Sequence, residues 1–447
     1  MTGLAERRRP PGASGPPPAA VARAVLALGA AVLLALGVLA RDPRLLAVRA
    51  ALVPCVIAAG TLGALLGLWW WRRDGWRGVA VPGLALLWAA APAVTAVGEA
   101  RFARQAAAVL ASGAAGAELG RHFLVGYTDA REVARLAGRG LIGGVFVTAR
   151  NVAGRDADAL RGEIAGLQAI RRAAGLPPLF VAADQEGGMV SRLSPPLPAM
   201  PPLGALAALP AGERDAAARA YGAAQGAGLA ALGVTVNFAP VLDLRMPGPR
   251  VGHDPLSRIA ARAISDDPRV VGAVGLAYVR GLAEAGVTAT LKHFPGLGRA
   301  TADTHLAEAR IGATRGELDA GDLLPFRHVL RGTAAWLMLG HATVAALDPD
   351  RPASLSARVV GGLLRGAWGY EGVVVTDDLN MAPILSAGLC EGVVAALNAG
   401  VDVLLLSWDP DGYYPAMACA LAARRRGALD ETRLAESRRR LDRAALR

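Results

Sequence analysis

The sequence predicts an α/β fold, a closed (β/α)8 barrel preceded by three transmembrane helices, and three patterns predict it. Eight short apolar runs recur beyond the N-terminal part, separated by Ala/Arg/Glu-rich stretches of helical composition. Five of the runs end on a carboxylate or an imidazole: Asp184, Asp243, His293, His341 and Asp377. Ahead of them lie three long apolar stretches that carry no charge. Near-continuous apolar strands alternating with helices indicate a parallel sheet covered on both faces. Eight such units in roughly 340 residues suit a barrel, in which reactive groups gather at the carboxyl ends of the strands. An open doubly wound sheet is the alternative, but no Gly-x-Gly-x-x-Gly directly follows the first run and the polar run ends continue along the chain.

In chain order, residues 1–23 hold Arg7-Arg8-Arg9 and then a Pro/Gly/Ala-rich stretch, a composition expected of a disordered tail. Residues 24–98 form the expected membrane region. Its apolar stretches are Ala24–Ala40 (17 residues), Ala50–Trp71 (22) and Val79–Val97 (19), lengths that span or nearly span a bilayer. Trp69-Trp70-Trp71 followed by Arg72-Arg73 is the aromatic and basic boundary of a span end. A cleaved signal at Ala24–Ala40 is disfavoured by the two stretches that follow. With the N-terminus inside, Arg7, Arg8, Arg9, Arg72, Arg73 and Arg77 are cytoplasmic, against Arg41, Arg44, Arg49, Arg101 and Arg104 outside. That six-to-five bias is slight, and with the N-terminus inside, three spans place whatever follows them outside the cytoplasm. Residues 99–119 read as a linker and 120–447 as the barrel. Its expected strands are His122–Tyr127, Ile142–Thr148, Leu179–Asp184, Val234–Asp243, Val287–His293, Trp336–His341, Gly372–Asp377 and Asp402–Ser407.

Composition narrows the function. The 447 residues carry a net charge of +11, yet the arginines are spread out, the short basic runs lack interleaved aromatics, and no nucleic-acid motif is present. Nucleic acid is therefore not an expected partner. Cys55, Cys390 and Cys419 are scattered without a Cys-x-x-Cys, so no zinc site is indicated. Cys390 and Cys419 would be free to bridge in an oxidising compartment. Of the 48 basic side chains Lys292 is the one lysine. A compact ammonium does not substitute for the planar guanidinium fork in a tight pocket, which singles this position out.

Lys292 opens Lys292-His293-Phe294-Pro295-Gly296-Leu297-Gly298 at the end of the fifth run, with Asp303-Thr304-His305 shortly after. Side chains two apart in an extended loop point the same way, so Asp303 can hold one tautomer of His305 and raise its basicity. Imidazole titrates near pH ~6.5 and gives or takes a proton around neutrality. Asp377-Asp378 closes an apolar strand, and alternation sends one of the pair to the barrel axis as a candidate nucleophile. The other is expected to cap a helix starting near Asn380. Asp184-Gln185-Glu186-Gly187-Gly188, with Arg192 after it, suits a site that hydrogen-bonds vicinal hydroxyls. His293, Asp303 and His305 are conceivable zinc or iron ligands, but Lys292 would repel a cation there; no metal or other cofactor is expected.

These motifs resemble glycoside hydrolase family 3, in its β-N-acetylhexosaminidase branch. Lys-His-Phe-Pro-Gly-x-Gly with Asp-x-His downstream is joined, in the family's order, by Asp184–Gly188 with Arg192, Asn237–Asp243, Arg262 before Asp267-Pro268, Met338–His341 and Thr376–Met381. The resemblance runs from about Gly120 to the C-terminus. It implies a TIM barrel without a required second domain and a retaining hydrolase that removes terminal β-linked N-acetylglucosamine, as in peptidoglycan turnover. Asp377 then resembles the nucleophile and His305 the acid/base oriented by Asp303. Asp184, Arg192, Arg262, Lys292 and His293 fall where the family contacts the N-acetylated sugar. Leu297 stands where the family usually has His, and Met189 where Arg is common. A family 3 β-glucosidase and a membrane-tethered sugar-binding protein without turnover are the alternatives. The N-terminal spans lie outside the family's fold and look like an added anchor, with the catalytic part outside the cytoplasm.

Overall fold

The computed structural model describes residues 18–74, 80–246 and 254–446, in two compact units that divide between Arg104 and Gln105. The expected tail up to residue 17, and Arg77, lie outside the described residues.

In the first unit, Ala- and Leu-rich sequence forms α1 (Pro18–Val38), α2 (Arg49–Asp74) and α3 (Ala80–Leu110). All three are long and apolar enough to cross a membrane. Residues 18–23, expected as tail, are already helical. Small residues bring these helices together: a Cβ on Gly63 would sit 2.1 Å from the Trp88 ring, and one on Gly60 2.4 Å from Pro92. Arg49 turns back to donate to the carbonyls of Ala40, Arg41 and Asp42 at the α1–α2 corner. Residues 99–110, expected as linker, continue α3.

The second unit is the barrel. Its strands are β1 (Phe123–Gly126), β2 (Gly144–Val147), β3 (Phe180–Ala183), β4 (Val236–Asn237), β5 (Thr288–Phe294), β6 (Trp336–Leu339), β7 (Val374–Asp378) and β8 (Val403–Leu406). They pair in parallel, in chain order, and close through β1 and β8. Alternate residues fill the axis: Leu124, Phe146, Ala182, Val236, Trp336, Met338, Val375, Val403 and Leu405 are all buried in one cluster. Strand β4 is shorter than the run Val234–Asp243 because Pro240 has no N–H for the ladder; Val241 rejoins β5 as a single bridge to Lys292.

Outer helices start on side-chain caps legible in the sequence, including Asp129, Asp156, Asp267, Thr314 and Asp430. Glycines set the closest helix pair. A Cβ on Gly222 of Ala211–Leu232 would lie 2.3 Å from Tyr278 O, and one on Gly281 of Pro268–Glu284 would lie 2.0 Å from Arg219 O. At the amino end of the barrel, buried Asp402 binds Arg365 (2.7 Å), Arg440 (2.9 Å) and the Val374 N–H (2.8 Å). Two ribbons decorate the carboxyl end: a hairpin of Gln185–Gly187 with Val190–Ser191, and a parallel pair of Ala309–Ile311 with Ala342–Val344.

Candidate active site

Strands β5 and β7 each carry one extra residue near their carboxyl ends. Leu291 and Phe294 of β5 pair with Leu337 and Leu339, and Val375 and Asp378 of β7 with Val403 and Leu405. A bulge bends its strand and re-aims side chains. The residues in these bulges are Lys292, His293, Thr376 and Asp377, so the irregularities fall where the candidate chemistry emerges.

Lys292 is buried along the axis. Its Nζ lies 2.5 Å from Asp184 Oδ1 and 2.6 Å from Glu186 Oε1. Arg262 holds the same Glu186 through Nε (3.0 Å) and Nη2 (2.7 Å), the fork geometry that guanidinium offers a carboxylate. Two cations and two carboxylates thus neutralise one another below the mouth. Burial pushes Glu186 up, but Arg262 and Lys292 outweigh it and hold its carboxyl well below the usual range. Lys292 Nζ fills the space between the two carboxylates, and among the described residues no group of three or more His, Cys, Asp or Glu side chains gathers as a metal ligand set.

His293 is fixed from the other side. Its Nδ1 lies 2.6 Å from Asp243 Oδ2, and Asp243 Oδ1 also accepts the Leu297 N–H at 2.7 Å. Asp243 therefore ties the imidazole to the Pro-Gly loop. Leu297, where the resemblance leads one to expect a histidine, is buried.

The Asp303–His305 pair forms as its spacing predicts. Asp303 Oδ1 lies 2.8 Å from His305 Nδ1 and accepts the His305 N–H at 2.9 Å. Leu256 and Ser257 from the loop after β4 complete the cradle. Their N–H groups donate to Asp303 Oδ2 at 2.7 and 2.9 Å, and Ser257 Oγ donates to Oδ1 at 2.8 Å. Burial would raise Asp303, yet these donors and His305 carry it far below the ordinary carboxylate range. For His305 burial acts downward, and Asp303 together with Asp377 more than reverses it, leaving the imidazole above its ordinary value. Nδ1 is committed to Asp303, so Nε2 is the atom free to exchange a proton.

Asp377 stands in the β7 bulge, just beyond the axis-facing Val375. Burial opposes its charge, but the imidazoles of His293, His341 and His305 prevail and its pKa is lowered. Its Oδ1 also accepts the Asp378 N–H at 2.8 Å. His341 itself is buried, which lowers its pKa, and it sits between Ser354 Oγ (2.7 Å) and the Asp378 carbonyl (3.0 Å).

Asp378 is not the helix cap expected for it. The next helix begins at Ala382, and Asp378 instead accepts from Asn380, from Ser407 Oγ at 2.6 Å and from the Trp408 N–H at 2.7 Å. It locks the end of β7 to the end of β8. Of the expected sugar contacts, Asp184, Arg262, Lys292 and His293 converge, while Arg192 lies exposed on the hairpin with its N–H donating to Asp184 O at 3.1 Å. Glu186, Asp243, Ser257 and His341 belong to the same network. Strand-end position marked Asp243 and His341; nothing in the sequence around Ser257 pointed to Asp303, 46 residues away.

The structure is a (β/α)8 barrel whose carboxyl mouth gathers the Asp377 carboxylate, the His305 imidazole and a buried set of polar groups, and its relatives place it among the glycosidases. The chain belongs to glycosyl hydrolase family 3, whose N terminal domain matches residues 115–444. A β-hexosaminidase of Xanthomonas oryzae pv. oryzae is 38% identical over 269 residues, 59% of this chain and 76% of that protein. One from Alkalilimnicola ehrlichii is 38% identical over 276 residues, 60% and 75% of the two chains. Among solved structures, the family 3 β-N-acetylglucosaminidase of Paenibacillus sp. FPU-7 superposes with TM-score 0.67 at 34% identity, covering 74% of this chain and 61% of its own. The β-N-acetylhexosaminidase of Beutenbergia cavernae gives TM-score 0.66 at 30% identity, with 74% and 98% coverage.

Proposed function

We propose that the protein is a retaining β-N-acetylhexosaminidase that removes terminal β-linked N-acetylglucosamine. The observation that carries this reading is that an Asp303-held imidazole, His305 (2.8 Å), and the strand-end carboxylate Asp377 stand at one barrel mouth, where each favours the charged form of the other. A carboxylate kept ionised is the nucleophile; an imidazolium kept protonated is the acid. Asp377 attacks the anomeric carbon while His305 passes the Nε2 proton to the leaving oxygen, and the glycosidic bond breaks. Neutral His305 then takes a proton from water, which releases the sugar from Asp377 with retained configuration. Asp303 keeps Nδ1–H oriented throughout. Lys292, Asp184, His293 and Arg262 hold the sugar by its hydroxyls and acetamido group, supplying the positional control catalysis needs.

On this reading α1–α3 anchor the enzyme and place the barrel outside the cytoplasm, where peptidoglycan fragments are the substrate source the family resemblance supplies. Among the described residues, nineteen of the 25 exposed large apolar side chains lie in the first unit, as expected of helices facing lipid. The Cys390–Cys419 disulfide between two outer helices supports an oxidising compartment. The first test is hydrolysis of an aryl N-acetyl-β-glucosaminide by full-length protein. Asp377→Ala and His305→Ala are each expected to lower kcat about a hundredfold or more with the fold retained by circular dichroism. Turnover at the parental rate in either variant removes the assignment.

A further inference from the structure

Among the described residues from Gln105 onward, six large apolar side chains are exposed: Ile170, Met189, Leu256, Leu306, Trp408 and Leu446. Four of them stand on loops leaving the carboxyl ends of barrel strands: Met189 after β3, Leu256 after β4, Leu306 after β5 and Trp408 after β8. The surface of a soluble barrel gives no reason for its exposed apolar groups to gather at one end. Concentration around a site mouth marks a binding surface.

Each of the four is tied to the chemistry. Leu306 follows His305 directly and is 56% exposed. Leu256 is 58% exposed, and its N–H donates to Asp303 Oδ2. Trp408, also 58% exposed, donates its N–H to Asp378 beside the nucleophile. Met189 lines a small cleft with Glu186 and Arg262. The proton donor must stand within hydrogen-bond reach of the leaving oxygen, so the leaving group lies on the His305 side of the sugar. That is the side carrying Leu306 and Leu256. The polar sugar acid or peptide of a peptidoglycan fragment would leave these groups wet, whereas an alkyl or lipid chain would cover them. An apolar leaving group of this kind keeps the hexosaminidase chemistry and replaces that substrate source.

Resting on the hexosaminidase reading above, we infer that the substrate is an N-acetyl-β-glucosaminide with an apolar leaving group, seated on a rim formed by Leu256, Leu306 and Trp408. The polar cluster around Lys292 reads the sugar, and the rim reads what is attached to it. The membrane is a natural source of such molecules, but the recognised feature is the hydrocarbon next to the glycosidic oxygen.

The test uses the full chain in lipid nanodiscs and compares release of N-acetylglucosamine from its methyl, butyl and hexyl β-glycosides. Wild type is expected to favour hexyl over methyl in kcat/KM by about tenfold, which burial of two methylenes supplies. In L256S/L306S the hexyl-to-methyl ratio is expected to fall close to one, while I170S, the same change on an outer helix, keeps the gradient. A flat series in wild type, with the methyl glycoside turned over, overturns the apolar-rim inference and leaves the hexosaminidase reading standing. A gradient that persists in L256S/L306S arises from lipid partitioning and also overturns it. Failure to release the sugar from any of the three, and from an aryl glycoside, overturns the underlying reading and the inference with it.

Discussion

His305 sets the pH dependence of the proposed reaction. It must be protonated to donate, and its pKa is raised, so activity should hold through pH ~6.5 and fall as pH rises through the elevated value. On the acid side Asp377 must stay ionised, and its pKa is lowered, so that limb lies below pH ~3.8. The same shifts affect stability. The raised His305 pKa contributes stability below pH ~6.5 that is lost as pH climbs through the folded value. The depressed Asp303 pKa contributes stability above pH ~3.8 that is lost as pH falls through the folded value. Asp303→Asn removes the carboxylate that raises His305, and the basic limb of kcat is expected to move toward lower pH. An unmoved limb would detach Asp303 from His305. Ser257 acts one step further out: its hydroxyl donates to Asp303 Oδ1 and lies 3.1 Å from His305 Nδ1, while its carbonyl accepts from Arg262 at 2.8 Å. Ser257→Ala should lower kcat about tenfold with KM little changed, and Ser257→Thr should restore most of it. A change confined to KM would show that Ser257 serves binding instead.

The strands explain which of these residues were legible beforehand. An all-apolar strand buried on both faces is recognisable by composition, and its last residue is by position a mouth residue; Asp377, His293 and Asp184 were found that way. The local Asp-x-His spacing gave Asp303 and His305. Ser257 and the pairing of Glu186 with Arg262 escaped because the partners are distant in the chain, Arg262 lying 76 residues from Glu186 and Asp303 46 from Ser257. No local pattern encodes such pairs. Bulges escaped too: an extra residue in β5 or β7 leaves no periodic trace in runs as short as these. The amino end of the barrel answers to a different demand, stability rather than reaction. Asp402→Ala would leave Arg365 and Arg440 without their shared carboxylate, at a cost of about 3–5 kcal/mol. The expected result is a clearly lower thermal midpoint with KM for the aryl glycoside unchanged. A changed KM with an unchanged midpoint would reverse the division of labour between the two ends.

On the proposed anchoring, in which α1–α3 each cross the membrane, the barrel lies on the opposite side from the N-terminus. Arginine counts on either side differ by one, too small a bias to orient the chain by itself. The cysteines speak more directly. Cys390 and Cys419 lie on adjacent helices with Cα atoms 5.4 Å apart and are joined, whereas Cys55 is free and exposed on α2. Cytosolic thiol buffers keep such pairs reduced, and oxidising compartments close them. The state of this pair in the cell therefore reports where the barrel resides. Cells quenched in acid and alkylated under denaturing conditions without reductant should show one reactive thiol per chain, Cys55, and three after reduction. In Cys55→Ser the unreduced protein should show none. Three reactive thiols before reduction would place the barrel in the cytoplasm, with the N-terminus outside. The hydrolase chemistry would survive that result; the proposed extracytoplasmic supply of substrate would not.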